Sequence, residues 1–177
     1  MSIITGRGDS GESDLLFGKR IAKGSVRLEA LGDVDELNAA LGVARAEAGE
    51  GEWSDLIDAI QQKLVGLMGQ LATLPEDEAR YAEKGYATIS DEDVQWITDK
   101  AKAFEAAGIR FEGWARPGEE GCSARAHIDL ARSIARRAER SVWRLHQGGE
   151  VVPQALRLFL NRLSDLLWIL ARVEPDG

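Results

Sequence analysis

The sequence predicts an all-α fold: a five-helix bundle with a Gly-rich N-terminal loop, in a single domain over residues 1–177. Two observations carry this. Apolar residues recur at spacings of three and four in five separate stretches, the period of a helix with one buried face. Alternating apolar and polar runs, which would mark strands, are almost absent, and no internal repeat is found. The domain divides into a loop over residues 1–32 and a helical bundle over residues 33–172.

Composition narrows the function classes. A chain of 177 residues can bury a sizeable core. With 44% hydrophobic and 29% charged residues, disorder is excluded as the main state. No apolar stretch reaches the ~18 residues of a membrane span. The N-terminus has no apolar signal core, so the expected compartment is cytoplasmic. A net charge of −8 argues against general nucleic-acid binding. Cys122 is the single cysteine, so neither an internal disulfide nor a cysteine metal cluster is expected.

The elements follow in order. The first 32 residues hold six glycines and read as a loop, with a short hairpin near residues 15–17. Val34, Leu37, Leu41, Ala44 and Ala48 predict the first helix, with Asp33 as its N-cap. Leu56, Ile60, Leu64, Leu67, Met68 and Leu71 predict the second, stopped near Pro75. Residues 75–89 are polar and show no period. Ser90 and Asp93 resemble a capping box that opens a third helix through Val94, Ile97, Ala101 and Phe104, ending at Gly108. Residues 109–122 are irregular. A fourth helix runs from about 123 to 147, ended by Gly148 and Gly149, and would be about 37 Å long. Pro153 suits the first turn of a fifth, which reaches about Arg172.

Charge is unevenly spread. Residues 1–124 carry 13 Lys and Arg against 24 Asp and Glu, whereas residues 125–177 carry 9 against 6. All nine of those cations are Arg, whose fork suits carboxylate or phosphate. On a wheel of the fourth helix, Arg132, Arg136, Arg140, Glu139 and Trp143 fall on one side. Leu130, Ile134, Ala138, Ser141 and Leu145 fall opposite and are expected in the core. The Arg stripe reads either as a solvated face or as a functional surface, and Trp143 within it favours the second. On the fifth helix, Leu156, Phe159, Leu160, Leu163, Leu166, Leu167 and Leu170 form a wide apolar face. Asn161, Asp165 and Arg172 share a stripe flanked by Leu158, Trp168 and Ile169. That seam suits a subunit interface, a site wall or a set of structural hydrogen bonds.

The segment Thr5-Gly6-Arg7-Gly8-Asp9-Ser10-Gly11 could bring backbone N–H groups close to phosphates. It is neither a Walker A motif nor a Rossmann fingerprint, because its spacing and context differ from both. A di-iron bundle is disfavoured, since no Glu-x-x-His pair occurs.

Taken together, TGRGDSG, GKRIAKGSVRLEALGDVDELNAALG, ARSIARRAERSVWRL and FLNRLSDLLWILAR resemble one family, the propanediol-utilisation-type ATP:cob(I)alamin adenosyltransferases. The resemblance covers nearly the whole chain and is weakest over residues 50–120. It implies a five-helix bundle, a homotrimer with sites between subunits, and transfer of the 5′-deoxyadenosyl group of ATP to reduced corrinoid with release of triphosphate. ATP, Mg²⁺ and cobalamin (as substrate) are the implied small molecules. A reductase and an adenosylcobalamin-dependent enzyme are the macromolecular partners it leaves open.

Carried over residue by residue, the resemblance puts the ATP loop at Thr5, Gly6, Arg7, Gly8, Ser13 and Asp14, followed by Lys23. Its Arg-rich ATP block falls on Arg136, Arg137, Ala138, Glu139 and Arg140, and its Asn on Asn161. Asp35 and Arg132 match an acid–base pair expected to bridge subunits, and with Arg136 and Arg140 are the implied catalytic set. Trp114 stands at the family's Phe, implying that it covers the lower face of the corrin. Arg110 lies outside the matched blocks. The chain departs from the pattern in having Arg7 for a Thr or Asn, and Asp14 for part of a Thr/Ser pair. Asp14 is therefore a candidate to help hold a metal ion. A usual His is replaced by Asp129, with His127 two residues earlier; His127 reads as a surface residue and Cys122 as an incidental one. Two other readings remain: a non-catalytic corrinoid or nucleotide carrier bundle, and a purely structural oligomer.

Overall fold

The computed structural model describes residues 4–109, 114–119 and 121–173; Arg110 lies outside them. The chain opens with a hairpin of β1 (Glu12–Asp14) and β2 (Arg20–Ala22), paired antiparallel with Ser13 opposite Ile21. Six α-helices follow among the described residues: α1 (Val26–Ala48), α2 (Glu52–Leu71), α3 (Glu78–Glu83), α4 (Asp91–Ala106), α5 (Ser123–Gln147) and α6 (Gln154–Leu170). α1 packs on α2 and α5, and α6 packs on α5 and α4, giving the order α2–α1–α5–α6–α4 across the bundle. The core fills with Leu37, Leu41, Ile60, Leu64, Leu67, Leu156, Phe159 and Leu160, all fully buried. Ala131, Ala135 and Ala138 line the buried side of α5, small enough for α1 to approach closely.

The expectation of five helices is corrected to six. The added helix, α3, lies in the stretch that showed no period. A helix of six residues makes fewer than two turns, so it buries only Tyr81 and leaves no repeat to read. A 3-10 turn at Pro75–Asp77 leads into it.

Two further corrections concern boundaries and faces. α1 begins seven residues before Asp33, capped by Ser25, whose hydroxyl accepts from the Leu28 N–H at 3.3 Å. Gly32 therefore sits inside a helix, where it costs about 1 kcal/mol relative to Ala but does not break it. Asp33 is no cap; it accepts from Arg137 at 3.0 Å and from Ser141 on α5. Leu130, expected in the core, is 54% exposed. It sits at the edge of the buried arc of α5, which centres on the alanines. The third-helix start is as expected: Ser90 and Asp93 form a reciprocal capping box at α4.

Of the seam on α6, Asp165 is exposed, Asn161 half-buried and Arg172 buried. Arg172 donates to the buried carboxylate of Asp129 at 3.0 Å and to the Trp168 carbonyl at 2.9 Å. Arg132 donates its Nε to the same carboxylate at 2.7 Å. Asp129→Asn leaves the Arg172 charge buried without its counter-ion. The variant should lose about 3 to 5 kcal/mol of unfolding free energy in urea titration; a loss below about 1 kcal/mol would mean the pair is effectively solvated.

Candidate functional site

The glycine loop is held by short backbone turns. Asp9 N–H donates to the Gly6 carbonyl at 3.1 Å and Gly11 N–H to the Gly8 carbonyl at 3.2 Å. Gly6 and Gly11 have φ of 69° and 84°, which a side chain would disfavour. Lys23 folds back onto the loop: a Cβ on Gly8 would meet its Nζ at 3.0 Å. Its N–H also bonds the Gly11 carbonyl at 2.9 Å. The loop residues from Thr5 to Gly8 and Lys23 are thus brought together, with Arg7 N–H on the Thr5 hydroxyl at 3.4 Å.

Asp14 is engaged from two sides, by Arg7 and Arg20, each at 2.9 Å. The hydrogen bond from Arg7, with the charge of Arg20, holds the carboxyl below its usual value. Arg20 also donates to Glu12 at 3.1 Å and to the Arg7 carbonyl at 2.8 Å, closing the loop on the hairpin. Ser13 lies beside Asp14 on β1, half-buried.

The hairpin is fixed to the end of α2 at two places, Leu16 in its tip and Arg27 just past its second strand. Arg27 is buried, and its NH1 donates to the carbonyls of Leu71 and Thr73 at 2.8 and 3.1 Å. Leu16 N–H takes the carbonyl between them, Ala72, at 3.1 Å. The Arg27 NH2 pairs with Glu150, in the α5–α6 connection, at 2.7 Å. Sequence reading missed Arg27 because it placed the residue in a loop. With α1 begun at Val26, Arg27 falls on the buried stripe of Ala30, Val34, Leu37 and Leu41.

On α5, the Arg stripe divides. Arg137 donates to Asp33 and Glu36, tying α5 to α1; the bond to Glu36 raises its pKa further. Arg144 pairs with Glu29 at 2.9 Å. Arg136 and Arg140 are exposed and make no side-chain hydrogen bond or ion pair among the described residues. Ala138 is fully buried beneath them. Glu139 accepts from Asn161 Nδ2 at 3.2 Å, and Asn161 Oδ1 accepts from Arg162 at 2.8 Å. Arg140 lines a shallow groove with Arg137, Trp143, Arg144 and Gln147, and Arg157 stacks 4.5 Å over Trp143.

Asp35 is exposed on α1 with no hydrogen bond among the described residues, and Arg132 is engaged through its Nε alone. The structure does not pair these two within one chain. Nor does any hydrogen bond or ion pair among the described residues join the glycine loop to Arg136 or Arg140. Trp114 is 85% exposed, and the carbonyl of its neighbour Ala115 lies 3.5 Å from Arg172. Among the described residues, no group of three or more His, Cys, Asp or Glu is placed to hold a metal ion, and no helix is long and apolar enough to cross a membrane.

A family model described as cobalamin adenosyltransferase matches residues 3–174. The chain is 38% identical over 183 residues to the corrinoid adenosyltransferase PduO of Salmonella typhimurium, covering 99% of this chain and 50% of that protein. It therefore spans about half the length of that relative. It is 35% identical over 179 residues to the corrinoid adenosyltransferase of Mycobacterium leprae, covering 99% of this chain and 92% of that one. A variant PduO-type ATP:corrinoid adenosyltransferase from Lactobacillus reuteri, complexed with cobalamin and ATP, superposes with a TM-score of 0.83 at 27% identity. That alignment covers 97% of this chain and 89% of the other. Sequence and fold agree from the glycine loop to the end of α6, and the chain belongs to the PduO-type corrinoid adenosyltransferase family of enzymes.

Proposed function

We propose that the protein transfers the 5′-deoxyadenosyl group of ATP to the cobalt of cob(I)alamin, forming adenosylcobalamin and releasing triphosphate. The observation that carries this reading is the state of Arg136 and Arg140. Their neighbours Arg132, Arg137 and Arg144 all have carboxylate partners, whereas these two stand exposed and unpaired among the described residues. Two free guanidinium groups one turn apart suit a polyphosphate.

Cob(I)alamin is itself a strong nucleophile, so the protein need not supply one. The cobalt–C5′ bond forms with the cobalt electron pair as the C5′–O bond breaks, and the charge leaves on triphosphate. The protein's work is to align the two substrates and stabilise that charge. Arg136, Arg140, Lys23 and the loop N–H groups would serve the phosphates. The Glu139–Asn161 hydrogen bond would present a fixed polar edge to the nucleoside, with Arg137 and Ala138 setting how α5 lies on α1. The described residues offer no cage for Mg²⁺, and Asp14 is already shared by Arg7 and Arg20. Mg²⁺ bound with ATP would supply further positive charge to the triphosphate.

No hydrogen bond or ion pair among the described residues ties the loop to the Arg stripe within one chain, which leaves both open to a site shared between copies in a homotrimer. Asp35, with its carboxylate open, and the terminal nitrogens of Arg132 would then pair across the subunit boundary. Trp114 would lie under the corrin, excluding the lower axial ligand and water; an indole so exposed in the lone chain gains from such a cover. The reaction belongs in the cytoplasm, where ATP and a reductase are at hand.

Anaerobic incubation with ATP and chemically reduced cobalamin, followed by spectrum, tests the reaction. Multiple turnovers support it, and a single turnover with retained product supports a carrier bundle instead. Arg136→Ala and Arg140→Ala should each lower kcat/KM for ATP by about 10- to 150-fold, while Arg110→Ala should do little. Sedimentation at micromolar concentration should give about three times 19.3 kDa; an active monomer would overturn the shared site. Trp114→Ala should slow adenosylation more from cob(II)alamin with a reductant than from pre-reduced cob(I)alamin, which already lacks the axial ligand. Equal slowing of both would make Trp114 a structural residue.

A further inference from the structure

Phe17 is the single non-glycine residue among those described with a positive φ, at φ 59° and ψ 26°. A bulky side chain holds this left-handed conformation only where its surroundings fix it. Phe17 sits at the tip of the β1–β2 hairpin, and its surroundings are specific. The Arg80 guanidinium lies 4.5 Å over its ring. Tyr86 stacks on it at 6.4 Å with the planes 19° apart. Tyr81 braces Tyr86 edge-on at 5.2 Å and donates its hydroxyl to the Ala87 carbonyl at 2.6 Å. That hydroxyl is seated against Gly69 of α2 so closely that a Cβ there would lie 2.3 Å from it. On the other side of the tip, Lys19 pairs with Glu76 at 3.0 Å and Asp77 at 3.6 Å. The hydrogen bond raises the Lys19 pKa and lowers that of Glu76, so both stay charged at neutral pH.

Both sides of the hairpin tip are thus gripped by residues 76–86, the segment that contains α3. A hairpin with three-residue strands does not hold its own geometry in water. The glycine loop, residues 6–11, hangs from the far end of those strands. A flexible loop must be ordered when it binds, at a cost in affinity; a loop held in advance avoids it.

We propose that residues 76–86 are a positioning clamp for the ATP loop, with Phe17, Arg80 and Tyr86 as positioning residues that set the affinity for ATP. This rests on the reading of residues 5–14 and Lys23 as the ATP site. None of the three side chains need touch nucleotide. Because they act on loop order before chemistry, their loss should weaken ground state and transition state alike.

The test is steady-state kinetics of the full chain with ATP and cob(I)alamin, together with ATP binding by calorimetry and a thermal melt. Phe17→Ala should raise KM and Kd for ATP about five- to tenfold, with kcat and the corrinoid KM within about twofold of wild type. Arg80→Ala, at an exposed position, should give a smaller rise without loss of folding. The double variant should be no worse than Phe17→Ala, because the two residues act through one contact. Phe17→Tyr and Arg80→Lys, which keep the ring and the charge, should restore most of the affinity. A lower melting temperature with unchanged KM for ATP in Phe17→Ala and Arg80→Ala would overturn the clamp. Wild-type protein that fails to bind ATP overturns the loop assignment itself. Wild-type binding with both variants unaltered overturns the clamp alone.

Discussion

The carbonyl end of α2 is the constraint around which the N-terminal half is built. A helix ends with carbonyls that have no partner of their own, and a buried one must be supplied with donors. Here Leu71, Ala72 and Thr73 are supplied in succession by Arg27, the Leu16 amide and Arg27 again. The positive guanidinium also suits the negative end of the helix dipole. One requirement of backbone chemistry thereby fixes the tip of the hairpin, the start of α1 and, through Glu150, the α5–α6 connection.

The arginines from α5 onward divide by their partners. Arg137 and Arg144 join α5 to acids on α1, and Arg172 neutralises Asp129 in the interior. Such contacts consume the charge that a ligand would need. Arg136 and Arg140 lie on the same helix as the first two, but no acid of the described residues reaches them.

Much of the fold was legible because long helices repeat. α5 covers the 25 residues its period predicted, and the α4 capping box is reciprocal as its sequence suggested. What escaped was either too short to repeat or contrary to local propensity. α3 shows one inward residue and no pattern. The first two turns of α1 follow Gly24 and end on Gly32, glycines that locally argue for a loop, and tertiary packing overrides them. The same boundary error hid Arg27, whose burial depends on the helix phase. At the candidate site, the structure sets the Lys23 side chain against Gly8, a contact the chain reaches only by folding back through the hairpin. The Asp129–Arg172 pair was not legible, since its members lie 43 residues apart.

The two buried arginines also give the enzyme a modular construction. Arg27 braces the segment that carries the glycine loop, and Arg172 braces the segment that carries Trp114 through the Ala115 carbonyl. They share no hydrogen-bonding partner, since Glu150 serves one and Asp129 the other. Each irregular segment is hung on its own fixed point of a rigid bundle. Sequence drift in the Trp114 segment can therefore accumulate without disturbing the glycine loop.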